Sequence, residues 1–101
     1  MIGNFETIIN DSKPVIVDFH ALWCSPCKAQ TPILKEVANL MGDKVRIIKI
    51  DIDKHNALAL KYQIQSVPTL IIFKNGKPFW RQSGVVSKSS LIDVIQKANS
   101  H

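Results

Sequence analysis

The chain has little of several things, and each shortage excludes a class of protein. Two cysteines in 101 residues are too few for a disulfide-knit scaffold or a four-cysteine zinc site, so any sulfur chemistry must use that one pair. With only 4 glycines and 5 prolines, 21% charged residues and 46% apolar residues, the composition is that of a chain with material for a packed core, not of a disordered one. Apolar runs are short: Val67 to Phe73, with Pro68 and Thr69 inside it, falls far below the roughly twenty residues that span a bilayer. Met1 to Glu6 holds no basic cluster leading into an apolar stretch, so it does not read as a secretory leader. A soluble protein in a reducing cytoplasm is expected, although an exported protein without its leader would begin in the same way. Finally, no run of three cations occurs between Lys13 and Lys97. The net charge of +5 therefore reads as a solvated basic surface, with neither nucleic acid nor membrane as partner. No repeat, linker or low-complexity stretch interrupts the chain, and one domain over residues 1–101 is expected.

What is present is a periodic α/β pattern. Val15 to His20 is β-branched and almost continuously apolar, as a strand covered on both faces should be. Pro26 to Met41 follows, with Ala29, Ile33, Leu34, Val37, Leu40 and Met41 at helical spacings, a proline where a helix start tolerates one, and Gly42 as the stop. Pro32 inside this helix cannot bond back to the Lys28 carbonyl and should bend it. Val45 to Asp51 reads as a second apolar strand and Asn56 to Tyr62 as a short helix. A long crossover helix between two buried strands implies that they run parallel. Thr69 to Lys74, Asn75-Gly76 and Lys77 to Ser83 form a hairpin, because Asn-Gly supplies both positive φ angles of a type I′ turn. Ser87 caps a last helix carrying Leu91, Ile92, Val94, Ile95 and Ala98. Phe5 to Ile9 looks like a short helix, which leaves only Met1 to Gly3 for any strand before it.

The chemistry gathers in Trp23-Cys24-Ser25-Pro26-Cys27-Lys28, where a buried strand ends and a helix begins. A thiol reacts as its thiolate. The free N–H groups and positive end of a helix stabilise that anion and lower a pKa of about 8.5. Cys24 is placed to feel this field. Cys27 lies one turn on, so the two sulfurs can close or open a small disulfide with little backbone motion, and Pro26 stiffens the turn. Three other readings of the pair compete. The cysteines could be ordinary buried small residues, but Trp23, Pro26 and Lys28 argue for a partly exposed turn. They could hold zinc with His20 and His55, but His20 would point from a strand interior and no second close pair completes a tetrahedron. They could form a static staple, but so short a loop constrains the unfolded chain little. Redox exchange accounts for the pair best.

Asp18 is anomalous inside Val-Ile-Val-Asp-Phe, where desolvation should raise its pKa. Lys49, also within an apolar strand, would stand near it if the two strands are neighbours. Water-mediated pairing for purely structural reasons is one reading. The other is that Asp18 accepts the Cys27 proton, so that Cys27 can attack a mixed disulfide held on Cys24.

Over nearly its whole length the sequence resembles the thioredoxin family. The resemblance rests on Val-Asp-Phe ahead of Ala-Leu-Trp-Cys-Ser-Pro-Cys-Lys, on Lys49-Ile-Asp-Ile-Asp53 and Tyr62, on Val-Pro-Thr-Leu and Phe-Lys-Asn-Gly-Lys, and on Gly84 before the final helix. It implies an α/β thioredoxin fold, a central mixed sheet flanked by helices, acting as a thiol:disulfide oxidoreductase. In it Cys24 is the attacking nucleophile, Cys27 the resolving thiol, Asp18 with Lys49 the buried proton-handling pair, and Pro68 a cis-proline facing the disulfide. The substrate surface would be Trp23, Ser25, Pro26, Val67, Pro68, Gly84 and Val85, an apolar rim suited to weak, transient complexes with diverse protein disulfides. The family needs no bound cofactor beyond the Cys24–Cys27 disulfide itself. A thioredoxin reductase would draw electrons from NADPH to restore the dithiol, and a monomer is expected. Two alternatives remain in view: a thioredoxin-fold binding or scaffold module with incidental thiols, and an exported disulfide oxidant or isomerase.

The chain departs from the family pattern at four places. Ser25 stands where glycine is usual between the sulfurs, and its hydroxyl can change the reduction potential. His20 stands where tryptophan is usual, on the same strand face as Asp18, and would bring a titratable ring to the site as a modulator. Leu22 replaces a more usual acidic residue, which would redirect partner docking. The first strand of the family would be short, leaving one side of the sheet exposed.

Overall fold

The β-branched run from Val15 to His20 forms β1 over the whole of that range, and every residue from Val15 to Phe19 is buried. The structure is a computed structural model and describes residues 4–100. α1 (Phe5–Ile9) precedes β1, and α2 (Ser25–Met41), β2 (Arg46–Asp51), α3 (Asn56–Lys61), β3 (Thr69–Lys74), β4 (Lys77–Ser83) and α4 (Lys88–Asn99) follow it, with a 3₁₀ turn at Gly42–Lys44. The four strands lie in the order β2-β1-β3-β4. β1 pairs with β2 in parallel, setting Asp18 opposite Lys49 and His20 opposite Asp51. β1 and β3 are antiparallel, with Asp18 opposite Leu70, and β3 and β4 form the expected hairpin. A strand before Phe5 would fall on Met1 to Gly3, outside the described residues.

Side chains alternate between the two faces of the sheet and so divide the core. Ile16, Leu70 and Ile72 pack with Leu34, Val37 and Met41 of α2 and with Leu91, Val94 and Ile95 of α4. On the other face Val15, Val17, Phe19, Ile71 and Phe73 pack against Phe5 and Ile9 of α1, with Leu58 and Tyr62 closing the layer. Asp18 shares the face of Ile16, so its carboxylate is directed to the α2 side.

Two expectations need correction. β2 is not buried on both faces: Arg46 and Lys49 are exposed, and Ile47 and Ile48 are half-buried. Among the described residues it stands at the edge of the sheet, and the apolar pattern of an edge strand resembles that of a central one. In α2, Ala29 and Leu40 face solvent, and the buried stripe is Cys27, Gln30, Leu34, Val37 and Met41. That stripe follows helical spacing faithfully but contains a polar residue which the apolar pattern passes over. Pro32 lies within the continuous helix, and the Thr31 hydroxyl donates to the Cys27 carbonyl one turn back at 3.3 Å. At the hairpin, Asn75 and Gly76 take φ of 52° and 81°, as the type I′ turn requires.

Candidate active site

β1 ends at His20, and a short turn then carries the chain into α2. Cys24 is the N-cap of α2 in an extended conformation, and its Sγ accepts the Cys27 N–H at 3.1 Å. Capping is usually done by an oxygen; here a sulfur takes that place and receives one of the helix's free donors. Pro26 lies in the first turn, where its missing N–H removes no helical bond. Cys24 and Cys27 are joined by a disulfide with Cα atoms 5.3 Å apart. When that bond is reduced, the same N–H group and helix end favour negative charge on the Cys24 sulfur.

The pair is less exposed than its sequence neighbours imply. Both cysteines are 4% exposed, whereas Trp23, Ser25, Pro26 and Lys28 are open to solvent. The cap geometry tucks the sulfurs against Ala21, Ile52 and Val67. Only an edge of the disulfide can be approached, and the exposed residues form its surround.

That surround is assembled from three segments. Trp23, 69% exposed, is fixed because its indole N–H donates to Asp53 Oδ2 at 2.9 Å. Pro68 follows a cis peptide bond from Val67, and the Val67 carbonyl oxygen lies 3.6 Å from Cys24 Sγ. Gly84, at φ 88°, donates its N–H to the Pro68 carbonyl at 2.8 Å and so brings Val85 alongside. Val67 thus lies against the Cys24 sulfur, Pro68 carries Gly84 through that hydrogen bond, and Trp23, Ser25 and Pro26 flank the cysteines along the chain.

On the α2-facing side of β1, Asp18 is completely buried, and neither carboxylate oxygen has a hydrogen-bond partner among the described residues. Burial pushes its pKa up to about 6, with the nearby Lys49 charge pulling the other way. Lys49 does not form an ion pair with it. Its ammonium donates to Thr31 Oγ1 at 2.8 Å. His20 is half-buried, and its pKa is lowered mainly by that burial and by Lys49, with Asp51 opposing. His20, Cys27, Lys28, Thr31 and Lys49 line a cavity of about 120 Å³, which gives the Cys27 side of the disulfide its own opening. His55 joins no metal-ligating cluster with the cysteines: no group of three or more His, Cys, Asp or Glu side chains gathers among the described residues.

Three residues of this neighbourhood escape a reading of the sequence. Thr31 lies four positions after Cys27, a helical spacing that could have flagged it. Gln30 is a polar interruption of the buried stripe, in the way Asp18 is on its strand. Asp53 belongs to the Lys49-Ile-Asp-Ile-Asp53 run, but nothing in the sequence marks it as the partner of the Trp23 indole.

The thioredoxin family model matches residues 2–97. The chain belongs to the thioredoxin family. It is 47% identical over 97 residues to a chloroplastic thioredoxin Y of Oryza sativa subsp. japonica, covering 95% of this chain and 58% of that protein. A thioredoxin-like protein of Synechocystis sp. is 45% identical over 95 residues, covering 93% of this chain and 90% of that one. The chain thus spans little more than half the length of the rice relative. Among solved structures, a mutant thioredoxin from Halobacterium salinarum superposes with a TM-score of 0.85 at 30% identity, covering 94% of this chain and 82% of that one. The mixed sheet flanked by helices is the thioredoxin fold, and the paired Cys24 and Cys27 stand at the start of its α2. Thioredoxins work through such a disulfide and carry no prosthetic group. No helix among the described residues is long and apolar enough to cross a membrane.

Proposed function

We propose that the chain reduces disulfide bonds in other proteins, with Cys24 as nucleophile and Cys27 as resolving thiol. The observation that carries the reading is the Cys27 N–H aimed at Cys24 Sγ at the amino end of α2. The Cys24 thiolate attacks a substrate disulfide, forming a Cys24–substrate S–S bond and releasing one substrate thiolate. Asp18 then takes the Cys27 proton, and the Cys27 sulfur attacks Cys24 Sγ. The mixed disulfide breaks, the second substrate thiolate leaves, and the Cys24–Cys27 bond remains. Two electrons have passed to the substrate. A carboxylate whose pKa lies near 6 is matched to this task, because it is ionised near neutral pH yet basic enough to accept a proton.

Lys49 modulates Asp18 through its charge, and His20, at the same cavity, modulates the Cys27 side. Pro26 keeps the turn rigid. The rim of Trp23, Ser25, Val67, Pro68, Gly84 and Val85 receives an extended segment of the substrate, with the Val67 backbone offering strand-like hydrogen bonds. Return of the dithiol requires a reductase drawing on NADPH. We read residues 1–101 as one domain that works as a monomer in the cytoplasm on diverse protein disulfides.

Dithiothreitol-driven reduction of insulin tests the reading. The parent protein should turn over and Cys24→Ser should not. A parent without activity would instead indicate a binding module. The reduction potential against glutathione decides direction: a value below about −230 mV supports a reductant, and one above about −180 mV an oxidant or isomerase.

A further inference from the structure

Gln30 is wholly buried in the apolar stripe of α2, three residues after Cys27 and four before Leu34. Its amide is spent on one residue. Gln30 Nε2 donates to the Val86 carbonyl at 3.1 Å, and the Val86 N–H donates to Gln30 Oε1 at 2.8 Å. A side-chain amide that satisfies both backbone groups of one residue does what a neighbouring strand does in a ladder. Val86, 56 positions away in sequence, is thereby tied directly to the helix whose first turn holds the disulfide.

The segment is tied at its other end too, because the Gly84 N–H donates to the Pro68 carbonyl. Val85, 43% exposed, stands between these two ties. One anchor belongs to the Val67–Pro68 turn over Cys24 and the other to α2, so Val85 has little freedom to move relative to the sulfur.

We infer that Gln30 is a positioning residue for protein substrates: by locking Val86 to the redox helix it fixes the height of Gly84 and Val85 beside Cys24. The inference rests on the thiol:disulfide reading above and adds a determinant of polypeptide docking to it. An apolar residue of similar length at position 30 fills the space but leaves the Val86 N–H and C=O unpaired in a dry layer. Those groups then turn toward other partners or water, and Val85 moves with them. A polypeptide laid across the rim senses that movement. A small aromatic disulfide needs little more than the sulfur.

Steady-state kinetics of Gln30→Met and Gln30→Glu, with insulin and with dithiobis(nitrobenzoate), test this. Gln30→Met should raise KM for insulin about fivefold with kcat within about twofold, and should lose far less kcat/KM on the small disulfide. Gln30→Glu, which keeps an acceptor for the Val86 N–H, should recover part of the KM. Equal losses on both substrates, or an unmoved insulin KM, would overturn the proposal. If neither variant folds, hydrogen exchange of the Val86 amide in the parent decides: core-like protection supports the tie, and loop-like exchange removes it. A parent inactive on both disulfides would refute the thiol:disulfide reading and leave the exchange result to judge the tie.

Discussion

Asp18 and Lys49 are register partners across β1 and β2, yet no ion pair joins them: the ammonium bonds Thr31, and both carboxylate oxygens are buried without a partner among the described residues. Strand pairing places the two groups side by side, and the helix packed above then claims the lysine. Asp18 keeps the long-range pull of a positive charge without the contact that would make it an ordinary low-pKa carboxylate. Burial therefore wins, and the group stays basic enough to take a proton from a thiol.

The raised pKa makes Asp18 a stability cost at neutral pH. Folded, it holds its proton up to about 6; unfolded, it releases it near the ordinary 3.8. Its contribution is most favourable below the unfolded value and is lost as pH rises through that window, a swing of about 3 kcal/mol. Asp18→Asn should therefore be more stable than the parent above pH ~6 by about 1–3 kcal/mol, and the gap should close toward pH ~4. Denaturant titrations of the oxidised proteins at several pH values measure it, and a gap independent of pH would contradict it.

On the proposed mechanism, removal of Asp18 should slow resolution of the mixed disulfide. Positioned general bases supply about 10²–10⁴-fold, but a thiol near its own pKa of about 8.5 has solvent as an alternative, so Asp18→Asn should cost about tenfold near neutral pH and progressively less in alkali. Rapid-mixing measurement of the second substrate thiol released reads this step directly. Identical rates for parent and variant across the pH range would reject the role of Asp18.

Thr31→Ala should free the Lys49 ammonium from its present partner and let it approach Asp18. The Asp18 titration should then move down by roughly half a pH unit or more, while Thr31→Ser, which retains the hydroxyl, should leave it in place. Carboxyl NMR titration resolves the difference. An Asp18 titration indifferent to Thr31→Ala would show that Thr31 does not restrain the lysine.

At the hairpin, Gly76→Ala should destabilise the protein by about 1 kcal/mol, because an L-residue at φ 81° is strained. Steric crowding adds nothing: the nearest atom to an added Cβ is Asn10 Oδ1 at 3.6 Å, ordinary contact distance. A much larger loss in thermal or denaturant unfolding would mean that the turn does more than reverse the chain.

Much of this architecture is legible in the amino-acid sequence. Periodicity locates β1, the hairpin and α4 closely because strong local signals agree there: a β-branched run, an Asn-Gly turn and a serine cap. Cys24, Cys27 and Asp18 stand out because each is chemically out of place in its surroundings. The parts that sequence pattern misreads depend on what lies across the fold. β2 has an apolar sequence, yet the layers packed on the sheet leave its Arg46 and Lys49 exposed and its Ile47 and Ile48 half-buried. Gln30 has the look of a surface residue in its helix, and only the arrival of Val86 gives its amide a reason to be buried.

The linear order of residues settled the chemistry available: two sulfurs one helical turn apart, a helix start beneath them and an acid within an apolar strand. Those are short-range facts, set by spacing and by the backbone groups that a helix end leaves free. Which groups meet was left to the packing of distant segments. Thr31 rather than Asp18 holds Lys49, Val67 covers Cys24, and Gln30 fastens the rim to the redox helix. These contacts join residues 18 to 56 positions apart, and no local pattern encodes a partner that only the closing of the chain brings within hydrogen-bond reach.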